Sequence, residues 1–176
     1  ICKRDYRCKR LILIISINPK YKDIKIDRTK VTYLKDFFKL EKNFDFNTLA
    51  FFLDRKEHSN TYYPNGKIKM GDFDVFDEGK LFCNFVKDLL LDKNHDKINT
   101  YVFASLNKTA LSENHSDVES VFLFSVMGSV VYNVYDENSF NSFFLEANDL
   151  LVIPKKVVHS AIPLCPRIVV SVGVFD

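Results

Sequence analysis

The stretch Asn148-Asp149-Leu150-Leu151-Val152-Ile153-Pro154-Lys155-Lys156-Val157-Val158-His159 decides how this chain is read. Leu150 to Ile153 are four consecutive large aliphatic residues, too short a run for a helix and without a polar face, so they read as a strand buried on both sides. Pro154 stops that strand, because proline has no N–H to give to a sheet ladder. The β-branched pair Val157-Val158 then starts a second strand, which delivers His159 just after the turn.

Outward from this stretch, everything from Ile98 onward has the same character. Residues 98–106, 118–127, 129–135, 140–145, 150–153, 157–162 and 167–175 are short β-branched and aromatic runs punctuated by Gly, Asn-Asp or Pro. Seven such runs without helical periodicity between them predict an antiparallel barrel or sandwich, not a parallel sheet with crossover helices. Upstream of about residue 96 the pattern is less regular. Residues 33–40 and 46–53 carry apolar side chains at helical spacing, the second with a start at Asn47-Thr48, and residues 79–91 repeat the pattern through Leu81, Phe82, Phe85, Leu89 and Leu90. Between them, residues 59–78 contain Pro64-Asn65-Gly66 and Gly71 and read as a loop or hairpin running over the surface. The expected fold class is mainly β, with residues 1–96 as a mixed α/β extension packed on a barrel core of residues 97–176.

The composition fits one such unit. The 176 residues are 47% hydrophobic and 14% aromatic, with 17 Phe and 8 Tyr, so a sizeable core can form and a disordered chain is excluded. With 25 basic against 23 acidic residues the formal charge is +2, and there is no basic stripe to neutralise phosphates, so nucleic acid is not an expected partner. The four cysteines, Cys2, Cys8, Cys83 and Cys165, form neither a CxxC pair nor a zinc framework, which points to a reducing, cytoplasmic setting. Lys3, Arg4, Arg7, Lys9 and Arg10 precede the apolar run 11–17 as in a signal peptide. That run is short, lacks a small-residue cleavage site and reads better as a strand. Ile1 is not a methionine, so residues ahead of it are left open. No apolar stretch is long enough to span a bilayer as a helix.

Two of the four histidines lie in the β half. His115-Ser116-Asp117 precedes the strand run 118–127, and residues at i and i+2 of a strand share a face, so this imidazole and carboxylate can address one point. With His159 they make two histidines and one carboxylate, the ligand set of non-haem Fe(II) oxygenases, which leaves the remaining metal positions open for co-substrate and oxygen. By spacing alone the better reading of the same residues is a solvated loop and a hydrogen-bonded turn histidine, because such pairs are common by chance. His58 and His95 lie in polar stretches and are assigned no role.

From about Tyr101 to the end, the sequence resembles the cupin superfamily, the double-stranded β-helix, and within it the JmjC-like Fe(II)/2-oxoglutarate-dependent oxygenases. Asn148-Asp149 through His159 is similar to the second cupin motif, and His115-Ser116-Asp117 with Gly128 resembles the first. Asn148 and Lys156 stand where that motif usually has glycine. The resemblance implies a cupin or jelly-roll barrel in which His115, Asp117 and His159 hold Fe(II), with 2-oxoglutarate as co-substrate and hydroxylation of a small molecule or a protein side chain as the reaction. Val121 occupies the place of a fourth-ligand Glu, which favours the three-ligand triad, and Glu119 stays outside it.

In such relatives a Lys or Arg two residues after the position of Gly128 pairs with the distal carboxylate of 2-oxoglutarate, and here that residue is Val130. Arg167 is the expected replacement. It opens the last strand, where alternation puts Arg167, Val169, Ser171 and Gly173 on one face, and its planar fork suits a carboxylate. Ser112 matches a hydroxyl that touches the same carboxylate in some relatives. Tyr101, Tyr132 and Ser125 can line the barrel or simply pack, and Lys155 and Lys156 are expected in solvent. Two other readings stay open: a cupin protein that binds a metal or ligand without catalysis, and a cupin metalloenzyme that does not use 2-oxoglutarate. A homodimer is also left open.

Overall fold

The computed structural model describes residues 13–54, 60–136 and 139–176; Cys2, Cys8, His58 and the basic residues before position 11 lie outside that range. In chain order the elements are β1 (Ile15–Ile17), β2 (Thr32–Leu34), β3 (Phe38–Leu40), α1 (Phe46–Leu53), β4 (Asn60–Tyr62), β5 (Lys67–Met70), α2 (Asp77–Leu89), β6 (Lys97–Ser105) and β7 (Ser112–His115). They continue with β8 (Ser120–Met127), β9 (Val130–Asp136), β10 (Ser139–Leu145), β11 (Leu150–Ile153), β12 (Val158–Pro163) and β13 (Arg167–Phe175). Two antiparallel sheets face each other as a jelly-roll barrel: a seven-stranded sheet in the order β2-β11-β8-β13-β6-β5-β4 and a four-stranded sheet in the order β10-β9-β12-β7. A separate pair, β1 with β3, lies beside them. Among the described residues no helix is long and apolar enough to cross a membrane.

The large sheet is covered on both faces, which explains its nearly unbroken apolar strands. In β13, Ile168, Val170, Val172 and Val174 enter a core shared with the helices, while Val169 enters the core between the two sheets. The same split divides Phe122 and Phe124 from Val121 and Leu123 in β8, and Leu150 and Val152 from Leu151 and Ile153 in β11. Helix α2 packs Phe82, Val86 and Leu89 onto the outer face, with the Phe82 ring centroid 5.3 Å from that of Phe124. Helix α1 is capped by Asp45, whose carboxylate accepts from Thr48 N–H at 2.9 Å.

Residues 33–40 are not a helix. They form β2 and β3, separated by Asp36 at φ 49°. The backbone donors that a helix would use internally are taken by the turn before β11. Asp36 N–H reaches Asp149 Oδ1 at 2.7 Å, and Phe37 and Phe38 N–H reach Asn148 O at 2.8 and 3.2 Å. Asp149, buried, also accepts from Glu146 N–H and from Tyr33 Oη, both at 2.9 Å, so this carboxylate ties the first half of the chain to the barrel. Residues 60–70 likewise correct the surface-hairpin reading: β4 and β5 extend the large sheet through β6, in the register Lys67 to Ser105 and Lys69 to Phe103.

Backbone geometry accounts for the unusual turn residues. Asn148 and Lys156, the two positions where the motif usually has glycine, have φ of 79° and 65°. Asn tolerates this region, whereas a lysine there costs about 1–2 kcal/mol. Relieving that strain outweighs the chain entropy a glycine loses on folding, so Lys156→Gly should raise stability by about 0.5–1 kcal/mol in chemical denaturation. Gly128 has φ 75°, and a Cβ there would lie 2.2 Å from Pro166 O and 2.9 Å from Arg167 Cα. Gly128→Ala should therefore cost more than about 2 kcal/mol, read as a lowered denaturation midpoint.

Candidate metal centre and its cavity

His115 ends β7, and β7 lies against β12 with His115 directly opposite His159. Their ring centroids are 4.4 Å apart. Asp117 is not on the strand with His115, as i/i+2 alternation predicts, but in the turn before β8. It is placed by its own carbonyl, which accepts from Lys156 N–H at 2.8 Å and so joins that turn to the one between β11 and β12. The left-handed backbone at Lys156 thus serves the site directly.

The donor atoms of His115, Asp117 and His159 all lie within 4.8 Å of one another, and His159 Nε2 is 3.4 Å from Asp117 Oδ2. In each histidine Nδ1 faces a carbonyl oxygen two residues back, Glu113 O at 2.8 Å for His115 and Val157 O at 3.0 Å for His159. A carbonyl can only accept, so Nδ1 carries a proton in each ring and Nε2 is the nitrogen turned toward the position a metal would take. Hydrogen bonds of this kind hold metal-ligating imidazoles in register. Burial pushes the Asp117 carboxyl up, but the hydrogen bond and charge of His159, then His115 and Lys69, outweigh it and hold the group below the usual carboxylate value. At neutral pH Asp117 is a carboxylate. Two imidazoles, which would be neutral as ligands, and one carboxylate converging in this way suit a divalent first-row metal with open positions.

The triad lies at a cavity of about 140 Å³ inside the barrel. Arg167, Ser112, Tyr101, Tyr132 and Ser171 line it as well, whereas Ser125 is buried elsewhere in β8. Arg167 is only 3% exposed. Its Nη1 donates to Tyr132 Oη at 3.3 Å, its Nε has no partner, and it meets no carboxylate among the described residues. Ser112 Oγ is 3.5 Å from His115 Nδ1. Val130 is fully buried in the core between the sheets and does not line the cavity.

Sequence reasoning missed Lys67 and Lys69, which β5 brings to the same cavity. Burial lowers the Lys67 ammonium below its ordinary pKa, and the charges of Arg167 and Lys69 lower it further, with Glu113 opposing. The signal was present in Lys67-Ile68-Lys69-Met70 after the Asn65-Gly66 turn: strand alternation puts both lysines on one face and sends Met70 to the outer core.

No family model and no curated protein matches this sequence. Among solved structures, the chain is similar to the ribosomal oxygenase YcfD from Escherichia coli in complex with cobalt and succinic acid, at 16% identity and TM-score 0.70. The same enzyme in complex with cobalt and 2-oxoglutarate aligns at 15% identity and TM-score 0.70. Each alignment covers 93% of this chain and 53% of the other, so the chain spans about half the length of that oxygenase. The oxalate decarboxylase of Bacillus subtilis, with Mn(II) centres, aligns at 16% identity and TM-score 0.51 over 68% of this chain and 28% of the other. These likenesses show a shared jelly-roll barrel fold.

Proposed function

We propose, on the premise of a barrel shared with solved structures that contain a metal and 2-oxoglutarate, that this protein is an Fe(II)- and 2-oxoglutarate-dependent oxygenase hydroxylating a C–H bond of its substrate. The observation that carries the reading is the pairing, in one cavity, of a three-donor metal set with a buried, unpaired guanidinium. A keto diacid has the two ends such a cavity asks for.

In this reading His115, Asp117 and His159 would hold Fe(II), which would supply hydroxylation of a substrate C–H by O2, one oxygen atom going to the substrate and the other to 2-oxoglutarate as it becomes succinate and CO2. Arg167 binds the distal carboxylate, supported by Tyr132 Oη, and takes over the task that Val130 cannot perform. Ser112 adds a hydroxyl to the same co-substrate. Carbonyls Glu113 O and Val157 O keep both imidazoles in the tautomer that presents Nε2. The apolar wall of Val121, Leu123 and Ala161 excludes water from the reacting centre.

The direct test is aerobic incubation with Fe(II) and 2-oxoglutarate. The expected result is metal-dependent release of succinate, accelerated by substrate. Metal binding without succinate would instead support a barrel that binds a metal without using 2-oxoglutarate.

A further inference from the structure

Two of the three metal donors depend on one turn. Residues 154–157 close with a bond from Val157 N–H to Pro154 O at 3.3 Å. Lys156 N–H of this turn holds the Asp117 carbonyl at 2.8 Å, and Val157 O holds His159 Nδ1 at 3.0 Å. A shift of the turn therefore moves the Asp117 carboxylate and the His159 ring together.

The sheet ladder does not fix this turn. The pairing of β11 with β8 ends at Ile153 opposite Val121, and Pro154 has no N–H with which to extend it. The next two donors go instead to the chain leading into β8: Lys156 N–H to Asp117 O, and Lys155 N–H to Ser120 Oγ at 3.2 Å. Ser120 is 3% exposed, and its hydroxyl donates to Arg28 O at 3.2 Å, which commits the proton and leaves the oxygen's lone pairs to Lys155. The Arg28 backbone is itself anchored, because the buried guanidinium of that residue binds the Asp176 carboxylate and the Asn94 carbonyl. One hydroxyl oxygen thus joins three segments of chain that are far apart in sequence.

We infer that Ser120 is a positioning residue of the metal centre: its Oγ fixes the 154–157 turn and, through that turn, the donors of Asp117 and His159. The inference rests on the reading of His115, Asp117 and His159 as metal ligands, and it adds a residue that touches neither metal nor co-substrate. Ser120 lines a second cavity, of about 790 Å³, which contains none of the three donors. When Oγ is removed, water in that cavity can take over the freed Lys155 N–H. Such water satisfies the donor without tying the turn to β8, so the fold survives and the placement of the ligands is lost.

The test is Co(II) titration of the full chain, followed calorimetrically and by the visible d–d bands of the bound ion, with thermal unfolding of the metal-free protein alongside. Ser120→Ala should weaken Co(II) binding about ten-fold, as supports of metal ligands do. It should also alter the d–d bands, while the metal-free variant still unfolds cooperatively. Lys155→Pro deletes the same bond from its other end. Lys155 has a negative φ and Lys156 a positive one, the type II form, in which proline is favoured at the first of these positions. This variant should show the same loss, and the double variant no more than either, because both remove one bond. Lys155→Gln keeps the N–H and gives up the ion pair with Asp176, so it should bind Co(II) as the wild type does. Unchanged affinity in Ser120→Ala or Lys155→Pro, a hundred-fold loss in the double variant, or an equal loss in Lys155→Gln would each overturn the inference. If one of the first two variants does not fold, the other reads the same bond alone. A wild-type protein that takes up no Co(II), or that binds it as tightly after His159→Ala, would instead overturn the metal reading on which the inference rests.

Discussion

Substituting His159 by alanine should remove metal binding and all metal-dependent turnover while leaving the fold in place. His159 is 4% exposed and faces the cavity, so its loss takes away one of three donors and the hydrogen-bonded partner of Asp117 without opening either apolar core. Even partners one step removed from a metal cost about 10–100-fold in affinity when deleted, so a ligand itself should cost at least roughly 100-fold. The cleanest reading comes from linkage. Metal at about one hundred times its dissociation constant stabilises a folded protein by about 2.7 kcal/mol, so added Fe(II), Co(II) or Mn(II) should raise the melting temperature of the wild type and leave His159→Ala unmoved. An equal metal-induced shift in the two proteins would show that His159 is an ordinary turn histidine.

Replacing Arg167 by methionine should act in opposite directions on stability and on ligand binding. Without ligand, Arg167 is a buried guanidinium that donates to the Tyr132 hydroxyl and lies over the Tyr132 ring at 5.9 Å from its centroid, with Nε unsatisfied. Exchanging a buried charge for an apolar side chain of similar length is often neutral or stabilising by about 1–4 kcal/mol, so the ligand-free variant should melt no lower than the wild type. Breaking a buried charge pair costs about 3 kcal/mol or more, so its 2-oxoglutarate affinity should fall by roughly 100-fold with metal affinity retained. If Arg167 were only a structural strand-start residue, the variant would lose stability and keep its affinity. The two measurements therefore separate the roles.

Particular residues show what the sequence made legible and what it hid. The run 150–153, the proline turn and His159 were readable because each signal is local: an aliphatic block, a missing N–H and a β-branched pair. The alternation in 167–175 put Arg167 and Ser171 on one face, and both line the cavity, because both faces of that strand are buried and its register is therefore fixed. His115 and Asp117 were paired correctly for an incomplete reason. They converge through the bond from Lys156 N–H to Asp117 O, which joins two turns far apart in sequence, and not through shared strand geometry.

Non-local pairing defeated the rest. Residues 33–40 have helical spacing, but Asn148 and Asp149 compete successfully for their backbone donors, and no local pattern announces that competition. Lys67 and Lys69 were passed over because a short charged hairpin reads as surface until β6 is seen beside it. The apparent weakness at Val130 has the same origin. The cavity's cations come from β13 and β5, and only the sheet order brings those strands together across β6.

The most direct test of the oxygenase account is the visible spectrum of the protein under anaerobic conditions, titrated first with Fe(II) and then with 2-oxoglutarate. The account predicts a weak charge-transfer band that appears only when both are present, is absent in His159→Ala, and decays with stoichiometric formation of succinate when air is admitted. A metal-replete protein that shows neither the band nor succinate would contradict it.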